Sequence, residues 1–573
     1  FDPAVFAMEH QLNLEKVVSL PVGVYLLSRF NRDGRYVYSF LAELEDFKTA
    51  ENPDLHAYNA LLGRAQKLPH RYRKMVDDIS LRIDSKVLPQ LRSTPSMGAM
   101  GFGSHLGSGP RYQVDAFGID DLGPVEMLSD DQVELGDSEL ENEMARKHLS
   151  LTRHRAESRS LAVDLFDGLR RKLLVDQEGI WNQFLYSEDY QRLMRVLWYC
   201  EQPVDLSCFN IFRDLGRGAF GVVSGAKFRT TGALLALKCM NKKLVKGKKA
   251  KRLVEAERSV LAKLGERPSP FTVFLKYAWQ DKDTFYLALP LCTGGDLQYQ
   301  LAIERYFDPD RARFSIAEVV LGLAHLHSLG ILYRDLKPDN ILVDEEGHCR
   351  ISDMGLAIIT DGKLLRGRAG TPGYWSPEMI SKNKYSYPTD WWSLGCVLYE
   401  LLSGRCPFSK LNTRMERDDA TLSWPISFPD RLGNGYGGER RPFPDDARRF
   451  ILRLLDRDKH TRLGSSERGA EDVKDDPYFS RINWSKLSRK EIDPPWKPRK
   501  EAINAYNQSD IDGKSNEHDY RKLKLAPEDE IKDFAYTSKH SHQEDVVAVL
   551  KLQDEGRLQH LERGEGLGCC SLS

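Results

Sequence analysis

Hydrophobic and polar positions follow different patterns in different parts of the chain. Apolar residues recur with helical spacing over Val24 to Phe47 and again over Leu161 to Tyr199, which predicts amphipathic helices. Between them, residues 93–109 are rich in Gly, Ser and Met, and residues 115–143 are acidic with an interrupted apolar pattern. The pattern predicts a helical bundle that is split by a flexible insert.

A second pattern, of short apolar runs between turns, begins after residue 208. The runs Ile341 to Val343 and Cys349 to Ser352 flank the turn Glu345 to Gly347 and predict a hairpin. The polar run Tyr333 to Asn340 precedes this hairpin, and Asp353-Met354-Gly355 follows it. Both polar clusters are therefore expected at strand ends facing one cleft, where their carboxylate and amide groups suit phosphoryl transfer; a solvated charged loop is the weaker alternative.

The glycine-rich run Gly216 to Val223 is expected to cover phosphate groups, because glycine lets backbone amides approach phosphate oxygens. This spacing also occurs in dinucleotide-binding folds, where it opens a helix. Here Val222-Val223 follow the glycines, and Ala233 to Lys238 forms another apolar strand. A β-hairpin is therefore favoured over a dinucleotide-binding turn.

Lys238 is predicted to end this strand and to reach the α- and β-phosphates, although a lysine at a strand end is often simply solvated. The basic helical segment that follows contains Glu257, the expected ion-pair partner of Lys238. Glu255 is the alternative partner and lies on another face of the helix. The lysine- and arginine-rich run Asn241 to Arg252 is interpreted as a solvated helix face rather than as a docking surface.

These parts together resemble the protein kinase family over residues 208–479 and imply a two-lobed α+β fold. The resemblance implies that Asp335 accepts the proton of the substrate hydroxyl and that Lys337 neutralises charge on the moving phosphoryl group. It implies that Asn340 and Asp353 hold Mg²⁺, so that catalysis rests on positioning and electrostatics. Lys337 after Asp335 implies specificity for serine and threonine.

The same resemblance implies the residues that bind ATP and those that brace the domain. Leu289 to Cys292 would form the hinge, where Pro290 removes a backbone donor, and Asp296 would lie near the ribose. Asp390 to Gly395 resembles the buried helix that anchors the catalytic loop, and Arg462 would pair with Glu378. The ATP-binding residues are Leu215, Gly216, Gly218, Ala219, Phe220, Gly221, Val223, Ala236, Lys238, Leu289, Leu291, Cys292 and Asp296.

Length and composition bound the rest of the chain. Its 573 residues exceed one kinase domain, so at least two domains are expected. The formal net charge of -1 argues against bulk binding to nucleic acid. Nine scattered cysteines suit a reducing compartment, and no apolar stretch approaches the ~20 residues of a membrane span. Because the sequence opens at Phe1, a preceding segment is expected.

The helical regions resemble the regulator-of-G-protein-signalling homology domain of G protein-coupled receptor kinases. The expected halves are residues 1–92 and 151–207, with the insert at 93–150 and the kinase domain at 208–479. Motifs carrying this resemblance include Pro21-Val22-Gly23 before Leu26 to Phe30, and Ile180 to Leu185. A generic helical bundle that braces the kinase is the alternative. A Gα subunit is a further partner that the resemblance suggests.

Residues 480–573 resemble the C-terminal tail of the AGC kinase group. Asp476 to Phe479, Trp484 and Pro494 to Pro498 carry this resemblance, although such aromatics also serve as packing anchors. Ala502 to Leu525 resembles the active-site tether, and Ile531 to Tyr536 resembles the hydrophobic motif. Such a tail would make closure of the nucleotide site a regulatory step.

The activation segment departs from the common AGC pattern. Gly367 stands where many AGC kinases carry a phosphorylatable threonine, and Met354 replaces the usual phenylalanine. We therefore expect activity without an activation-loop phosphate, with receptor docking as the activating event. In the segment that follows, Ser376 replaces the usual alanine, which is a small change at a packing position.

The last residues, Cys570 to Ser573, match a C-a-a-X prenylation box, and Cys569 is a candidate for a second acyl chain. One prenyl chain anchors weakly, so a second signal is expected. The protein is expected in the cytoplasm and peripherally at the plasma membrane surface. A disordered tail with inert thiols is the alternative.

Three functions are consistent with the sequence. The favoured one is an active serine/threonine kinase that uses ATP and Mg²⁺ to phosphorylate activated G protein-coupled receptors, promoting their desensitisation. Asp296, Asp339 and Glu400 favour a basic substrate flank. The alternatives are a Gα- or receptor-binding adaptor that works through the helical domain, and another AGC kinase with a helical extension. All catalytic positions are filled, which argues against a purely non-catalytic adaptor.

Overall fold

A computed structural model describes 12–49, 61–82, 166–360, 363–409, 411, 413–429, 432–433, 439–440, 443–498 and 523–555. The chain divides near residue 195 into an N-terminal and a C-terminal compact unit. The insert 93–150, nearly all of the tether and both candidate lipidation cysteines, Cys569 and Cys570, lie outside the described residues. No helix among the described ranges is long and apolar enough to cross a membrane.

The described part of the N-terminal unit is helical. Its helices are Leu14–Val18, Pro21–Phe30, Arg35–Thr49 and Arg73–Arg82, with further helical segments over 61–65 and 166–184; Glu188–Cys200 follows. The helical pattern over Val24 to Phe47 corresponds to two helices rather than one, because Asn31 is extended and a 3₁₀ turn follows at Arg32–Gly34. The second predicted helical region is likewise two helices, separated by a turn over 185–187.

One hydrophobic core joins the two halves of this unit. Leu26 and Leu41 from the first half and Phe166 from the second are fully buried. The Tyr38 hydroxyl donates a hydrogen bond to Gln177 Oε1 at 2.9 Å, and the ring of Phe40 lies 6.2 Å from that of Phe166. Segments far apart in sequence thus form one helical bundle, as the apolar spacing predicts.

A six-stranded antiparallel sheet dominates the first part of the C-terminal unit. Its spatial order is β1-β2-β3-β5-β4-β12. Three two-stranded ladders lie outside it, β6 with β9, β7 with β8, and β10 with β11. The strands are β1 Phe209–Gly218, β2 Gly221–Phe228, β3 Leu234–Asn241, β4 Tyr277–Gln280, β5 Thr284–Pro290, β6 Ile331–Leu332, β7 Ile341–Val343, β8 Cys349–Ile351, β9 Ile358–Ile359, β10 Leu432–Gly433, β11 Glu439–Arg440 and β12 Tyr536–Thr537.

The later part of this unit is mainly helical. Helix Pro388–Ser403 is buried along its whole length, because apolar residues surround it and Gly395 lets Leu454 and Leu455 approach closely. The helices of this unit are Lys242–Gly247, Lys251–Glu266, Leu297–Glu304, Pro309–Ser328, Pro377–Ile380, Pro388–Ser403, Arg414–Ser423, Asp445–Leu454, Ala470–Lys474, Trp484–Ser488 and Lys539–Asp554.

Strand β3 shows how the sheet presents two different faces. Leu235 and Leu237 are fully buried on one face, whereas Ala236 and Lys238 alternate with them and are half-buried on the other. The prediction that Lys238 ends the strand is wrong. The strand continues to Asn241 because residues 239–241 keep pairing with β5.

The C-terminal segment returns to the sheet and occupies its edge. β12 pairs antiparallel with β4, and Phe534 is buried with its ring 5.0 Å from that of Phe285. The Arg258 guanidinium donates hydrogen bonds to the carbonyl oxygens of Asp533, Phe534 and Ala535 at 2.9–3.1 Å. The segment predicted as a hydrophobic motif thus packs against helix Lys251–Glu266.

Part of the basic run is a docking surface, so its interpretation as a solvated face is wrong for Lys246 and Lys251. Lys246 Nζ lies 2.7 Å from Asp529 Oδ2 and donates to the carbonyl of Lys524 at 3.0 Å. Lys251 Nζ donates to the carbonyl oxygens of Glu528 and Glu530. The partners lie more than 270 residues away in sequence, so a local reading of charge could not find them.

Candidate active site

The glycine-rich run forms the hairpin that its β-branched neighbours predict. β1 pairs antiparallel with β2 through Gly218 and Gly221, so Ala219 and Phe220 make the turn. A Cβ on Gly221 would lie 1.9 Å from the carbonyl oxygen of Cys239, which explains the glycine there. Gly216 and Gly218 have open space beside Cα, so a phosphate group can approach their backbone amides.

Apolar side chains of this hairpin and of the neighbouring strands provide a surface suited to the planar base of a nucleotide. Val223 pairs with Gly216 across the hairpin, and Ala236 pairs with Leu289 between β3 and β5. Val223, Ala236, Leu289 and the predicted Leu215 are all half-buried, whereas their neighbours Leu235 and Leu237 are fully buried. These positions suit the partly open wall of a nucleotide cleft.

The predicted hinge residues close the far side of the cleft. The backbone N–H of Leu291 donates to the carbonyl of Leu234 at 3.4 Å, directly after Pro290, and Cys292 follows. Burial raises the pKa of the Cys292 thiol to about 12. Asp296 caps helix Leu297–Glu304 by accepting the Tyr299 amide at 2.6 Å.

The ion pair between Lys238 and Glu257 is present. Lys238 Nζ lies 2.6 Å from Glu257 Oε1 and 3.9 Å from Asp353 Oδ1. Burial lowers the pKa of Lys238, but the two carboxylates outweigh this effect and raise the pKa above its usual value. The pair fixes an ammonium group on the open face of β3 beside the aspartate that follows β8.

The buried carboxylate of Asp390 fixes the backbone at the start of the catalytic loop, residues 333–340. Asp390 is fully buried near the start of helix Pro388–Ser403 and accepts the backbone N–H groups of Tyr333 and Arg334 at 3.0 and 2.8 Å. His327 Nε2 lies 2.8 Å from the same carboxylate. Arg334 has a φ of 71°, so these hydrogen bonds stabilise a backbone conformation that L-residues seldom adopt.

Asp335 is held by three neighbouring groups. The Asn340 side-chain amide donates to its Oδ2 at 3.0 Å, the Thr371 hydroxyl donates to its Oδ1 at 2.7 Å, and Lys337 Nζ lies 3.5 Å from Oδ2. Burial raises the pKa of Asp335, and these three contacts oppose the rise. The arrangement fixes the carboxylate while leaving it capable of accepting a proton.

Asn340 and Asp353 are placed to hold a cation. Asn340 uses its amide N–H for Asp335, which leaves its Oδ1 available as a ligand. Asp353 has a φ of 49°, its side chain is 55% exposed, and its Oδ1 accepts only a long 3.3 Å bond from Gly355. Two oxygen donors beside a cleft fit Mg²⁺, which usually keeps waters and binds through one or two protein ligands.

The activation segment is tied directly to this loop through Thr371. The Lys337 ammonium donates to Thr371 Oγ1 at 2.9 Å, and Thr371 in turn donates to Asp335. Gly370 has a φ of +93°, and a Cβ there would lie 2.2 Å from the Arg334 carbonyl oxygen. Close packing of the segment on the catalytic loop therefore requires glycine at this position.

Carboxylates surround the side of the cleft near Tyr374. Burial raises the pKa of Glu400 to about 7, and the charge of Asp339 adds to the rise, while the Tyr374 hydroxyl donates to Glu400 Oε2 at 2.5 Å. Burial, with the charge of Asp339, also raises the pKa of Asp296 to about 6. These groups form an acidic surface that a cationic side chain would stabilise.

The bracing interaction expected between Arg462 and Glu378 is also present. Arg462 donates to both oxygens of Glu378 at 2.6 and 2.9 Å, and both residues are buried. Ser376 does more than fill space, contrary to expectation, because its hydroxyl lies 2.6 Å from Thr389 Oγ1.

Sequence reasoning missed the role of Thr371. The run Gly367 to Thr371 was considered only because Gly367 stands where many AGC kinases carry a phosphorylatable threonine. The short distance to Asp335 arises because the activation segment folds back over the catalytic loop, a contact over 36 positions. The usable signal was Gly370, whose freedom at positive φ marks a close backbone approach.

A glycine hairpin over a cleft, a lysine paired with a helical glutamate, and an aspartate, an asparagine and a second aspartate on adjacent loops together define a protein kinase domain. Residues 209–479 match the family model described as protein kinase domain. These residues are therefore a protein kinase domain.

Relatives of the chain include G protein-coupled receptor kinases. The chain is 37% identical to G protein-coupled receptor kinase 2 of Drosophila melanogaster, over 58% of this chain and 46% of that protein. It is 37% identical to G protein-coupled receptor kinase 4 of Mus musculus, over 58% and 57%. It is 35% identical to Beta-adrenergic receptor kinase 1 of Homo sapiens, over 68% and 55%. The chain spans about half the length of the curated relatives it matches.

Proposed function

We propose that this protein transfers the γ-phosphoryl group of ATP to serine and threonine hydroxyls of activated G protein-coupled receptors. The observation that carries the proposal is the linked set Asp335, Asn340 and Thr371, in which two side-chain donors fix one carboxylate. The names of the relatives support the receptor as substrate.

The residues of the chain have distinct tasks in this reaction. Asp335 accepts the proton of the substrate hydroxyl. At the same time the hydroxyl oxygen of the substrate forms a bond to the γ-phosphorus, and the bond from the γ-phosphorus to the oxygen of the leaving ADP breaks. Lys337, 3.5 Å from Asp335, neutralises charge that accumulates on the transferred group. Lys238, held by Glu257, neutralises the α- and β-phosphates.

Asn340 and Asp353 would hold Mg²⁺ through their oxygen atoms. When bound, the ion neutralises phosphate charge. The Asn340 amide group serves both tasks, because its N–H group donates to Asp335 while its oxygen faces no protein donor among the described residues. A change at Asn340 would therefore disturb metal binding and the orientation of Asp335 together.

Activity without an activation-loop phosphate is part of the proposal. Gly367 offers no hydroxyl, and Thr371, the neighbouring candidate, is engaged with Asp335 and Lys337. The Arg334 guanidinium donates to the carbonyl of Leu356 at 2.8 Å, a hydrogen bond that ties the catalytic loop to the start of the segment. These contacts order the segment by hydrogen bonds alone. Receptor docking is the proposed activating event.

The helical N-terminal unit supports a second role. Its halves share one core, which suits a regulator-of-G-protein-signalling homology domain and binding to a receptor or a Gα subunit. We propose this adaptor role as an addition to catalysis. Association with the membrane surface, assisted by a lipid chain on Cys570 and a second signal such as Cys569, belongs to the same proposal.

The proposal is tested by incubating an agonist-activated receptor with Mg²⁺ and labelled ATP. Wild-type protein is expected to incorporate phosphate into receptor serine and threonine residues, and an antagonist-bound receptor is the control. Asp335→Asn should lower the rate by roughly 10²-fold or more. Equal incorporation by both proteins would refute the assignment of Asp335, and labelling of other proteins with no preference for active receptor would refute the substrate class.

A further inference from the structure

A group of arginines surrounds Trp375, just beyond the part of the activation segment that contacts Asp335. The guanidinium carbons of Arg368 and Arg414 lie 5.3 and 4.8 Å from the centre of the Trp375 ring. Arg368 comes from the activation segment, whereas Arg414 and Arg417 begin helix Arg414–Ser423 and share one of its faces. Two elements thus bring three guanidinium groups together.

The three arginines differ in how their guanidinium groups are engaged. Arg368 is committed, since it pairs with Asp418 at 3.3 Å and donates to the carbonyl of Ile380 at 2.9 Å. Arg414 and Arg417 form no side-chain hydrogen bond or ion pair within the described ranges, although both act electrostatically on Asp418. Asp419 is the other carboxylate that acts on Asp418.

Glu416, the third carboxylate of this helix, takes part in the cap of the helix. Glu416 accepts the backbone N–H of Thr413 at 3.1 Å in a capping box, which commits that side chain to the start of the helix. Arg414 and Arg417 therefore have anionic neighbours on the helix, Asp418 and Asp419, but form no side-chain hydrogen bond or ion pair with them among the described residues.

Buried donors at the same place also lack acceptors. Trp375 is only 4% exposed, and its indole N–H makes no hydrogen bond in the described part of the protein. The Nε–H groups of Arg368 and Arg417 are likewise buried without an acceptor. A buried donor without a partner is destabilising, so three such donors in one place favour an acceptor that a ligand supplies.

We propose that Arg414, Arg417 and the Trp375 indole N–H form a binding site for the phosphate group of a phosphorylated peptide. Guanidinium groups match phosphate oxygens in geometry and charge. The start of helix Arg414–Ser423 adds the positive end of its dipole.

The position of the site favours a peptide as the ligand. Trp375 follows Thr371 by four residues, a main-chain span of at most about 14 Å, and Thr371 contacts Asp335. A phosphoserine about four to six positions from the acceptor hydroxyl would reach the site while the acceptor lies at Asp335. The protein would then prefer segments that already carry one phosphate, which gives successive phosphorylation a preferred spacing.

This inference rests on the proposed protein-kinase function but is tested by binding alone. Full-length Asp335→Asn protein is titrated with a synthetic serine peptide and with versions that carry phosphoserine two, four or six residues to either side. We expect one of the four- or six-residue spacings to raise affinity by about 10-fold or more, with the gain falling in higher salt. Inorganic phosphate should compete.

Matched variants assign the effect to the site. In the Asp335→Asn background, Arg414→Gln with Arg417→Gln should remove the gain and leave affinity for the unphosphorylated peptide unchanged. Arg414→Lys with Arg417→Lys should restore part of it, and Arg449→Gln, an exposed arginine on helix Asp445–Leu454, should have no effect.

Three outcomes would overturn the proposal. The first is a phosphopeptide gain of the same size in the double glutamine variant. The second is no gain at any spacing in the parent protein. The third is arginine-dependent binding to vesicles that contain a phosphoinositide, without any phosphopeptide gain, which would assign the cluster to a membrane surface. Receptor phosphorylation is not measured in this experiment, so its result is independent of whether a receptor is the substrate.

Discussion

The Thr371 hydroxyl donates a hydrogen bond to Asp335 Oδ1 at 2.7 Å, while its oxygen accepts one from Lys337 at 2.9 Å. One side chain of the activation segment thus joins the two residues to which we assign the proton and the charge of the proposed reaction. The segment and the catalytic loop are held in one arrangement by neutral and charge-assisted hydrogen bonds.

Replacing Thr371 with valine should lower kcat by roughly 10- to 100-fold with little change in KM for ATP, because the hydroxyl orients Asp335 but lies away from the nucleotide wall. Steady-state kinetics with a peptide substrate measures both constants. Thr371→Ser keeps the hydroxyl and should retain most of the activity. A valine variant with unchanged kcat would show that Thr371 does not position the base.

The buried ion pair of Arg462 and Glu378 should be costly to break from one side. Arg462→Met leaves a buried carboxylate without its partner and should reduce the free energy of unfolding by about 3–5 kcal/mol. The double variant with Glu378→Gln should recover part of this loss, because the uncompensated charge is then gone. Urea unfolding of the four proteins gives the coupling, and additive losses would contradict the account.

The acidic surface should make substrate preference depend on pH. The pKa of Glu400 is raised from 4.5 to about 7, so Glu400 ionises as pH rises through neutrality. Preference for a peptide with an arginine flank over one with glutamine should therefore increase from about pH 6 to about pH 8. Comparing kcat/KM for both peptides measures it. Glu400→Gln should flatten the profile, and an unchanged profile would remove Glu400 from substrate recognition.

The raised pKa of Glu400 also affects stability, which should decrease as pH rises, whereas the preference for an arginine flank should increase. The folded protein retains a proton on Glu400 between pH 4.5 and about 7, whereas the unfolded chain releases it. The contribution of this group to the free energy of unfolding should therefore fall as pH rises through that window. The difference in unfolding free energy between wild type and Glu400→Gln should change across the window, and a constant difference would contradict the raised pKa.

The docked C-terminal segment should control the Lys238–Glu257 pair. Arg258 follows Glu257 in sequence and holds the carbonyl oxygens of residues 533–535. Arg258→Met should release this segment, increase proteolysis near Phe534, and raise KM for ATP several-fold as the helix loses support. Arg252→Met, an exposed position on the same helix, is the matched control. Equal proteolysis and equal kinetics in both variants would show that the C-terminal segment does not influence the nucleotide cleft.

Local chemistry explains which features the sequence could predict. Strands around Asn340 and Asp353 follow from short apolar runs with turn residues, and the preference for Glu257 over Glu255 follows from the face of one helix. Each of these inferences uses residues close in sequence, or a spacing fixed by the periodicity of an element.

Features that depend on distant segments could not be predicted in this way. From the sequence, the lysines of the run Asn241 to Arg252 were predicted to be solvated. In the structure, residues 524–530 contact two of them, Lys246 and Lys251. Strand β3 extends past Lys238 because β5 continues to pair with it. The helix boundary after Phe30 lies at Asn31, whose side-chain amide donates to the Tyr38 hydroxyl, and Tyr38 in turn donates to Gln177. Tertiary contacts decide all three.

The most direct test of the central claim measures turnover together with the phosphorylation state of the activation segment. Protein shown by mass spectrometry to carry no phosphate on residues 356–378 should phosphorylate an agonist-activated receptor at its full rate, and Asp335→Asn should lose roughly 10²-fold or more of that rate. A strict requirement for prior phosphorylation of this segment by another kinase, or equal turnover by Asp335→Asn, would contradict the account.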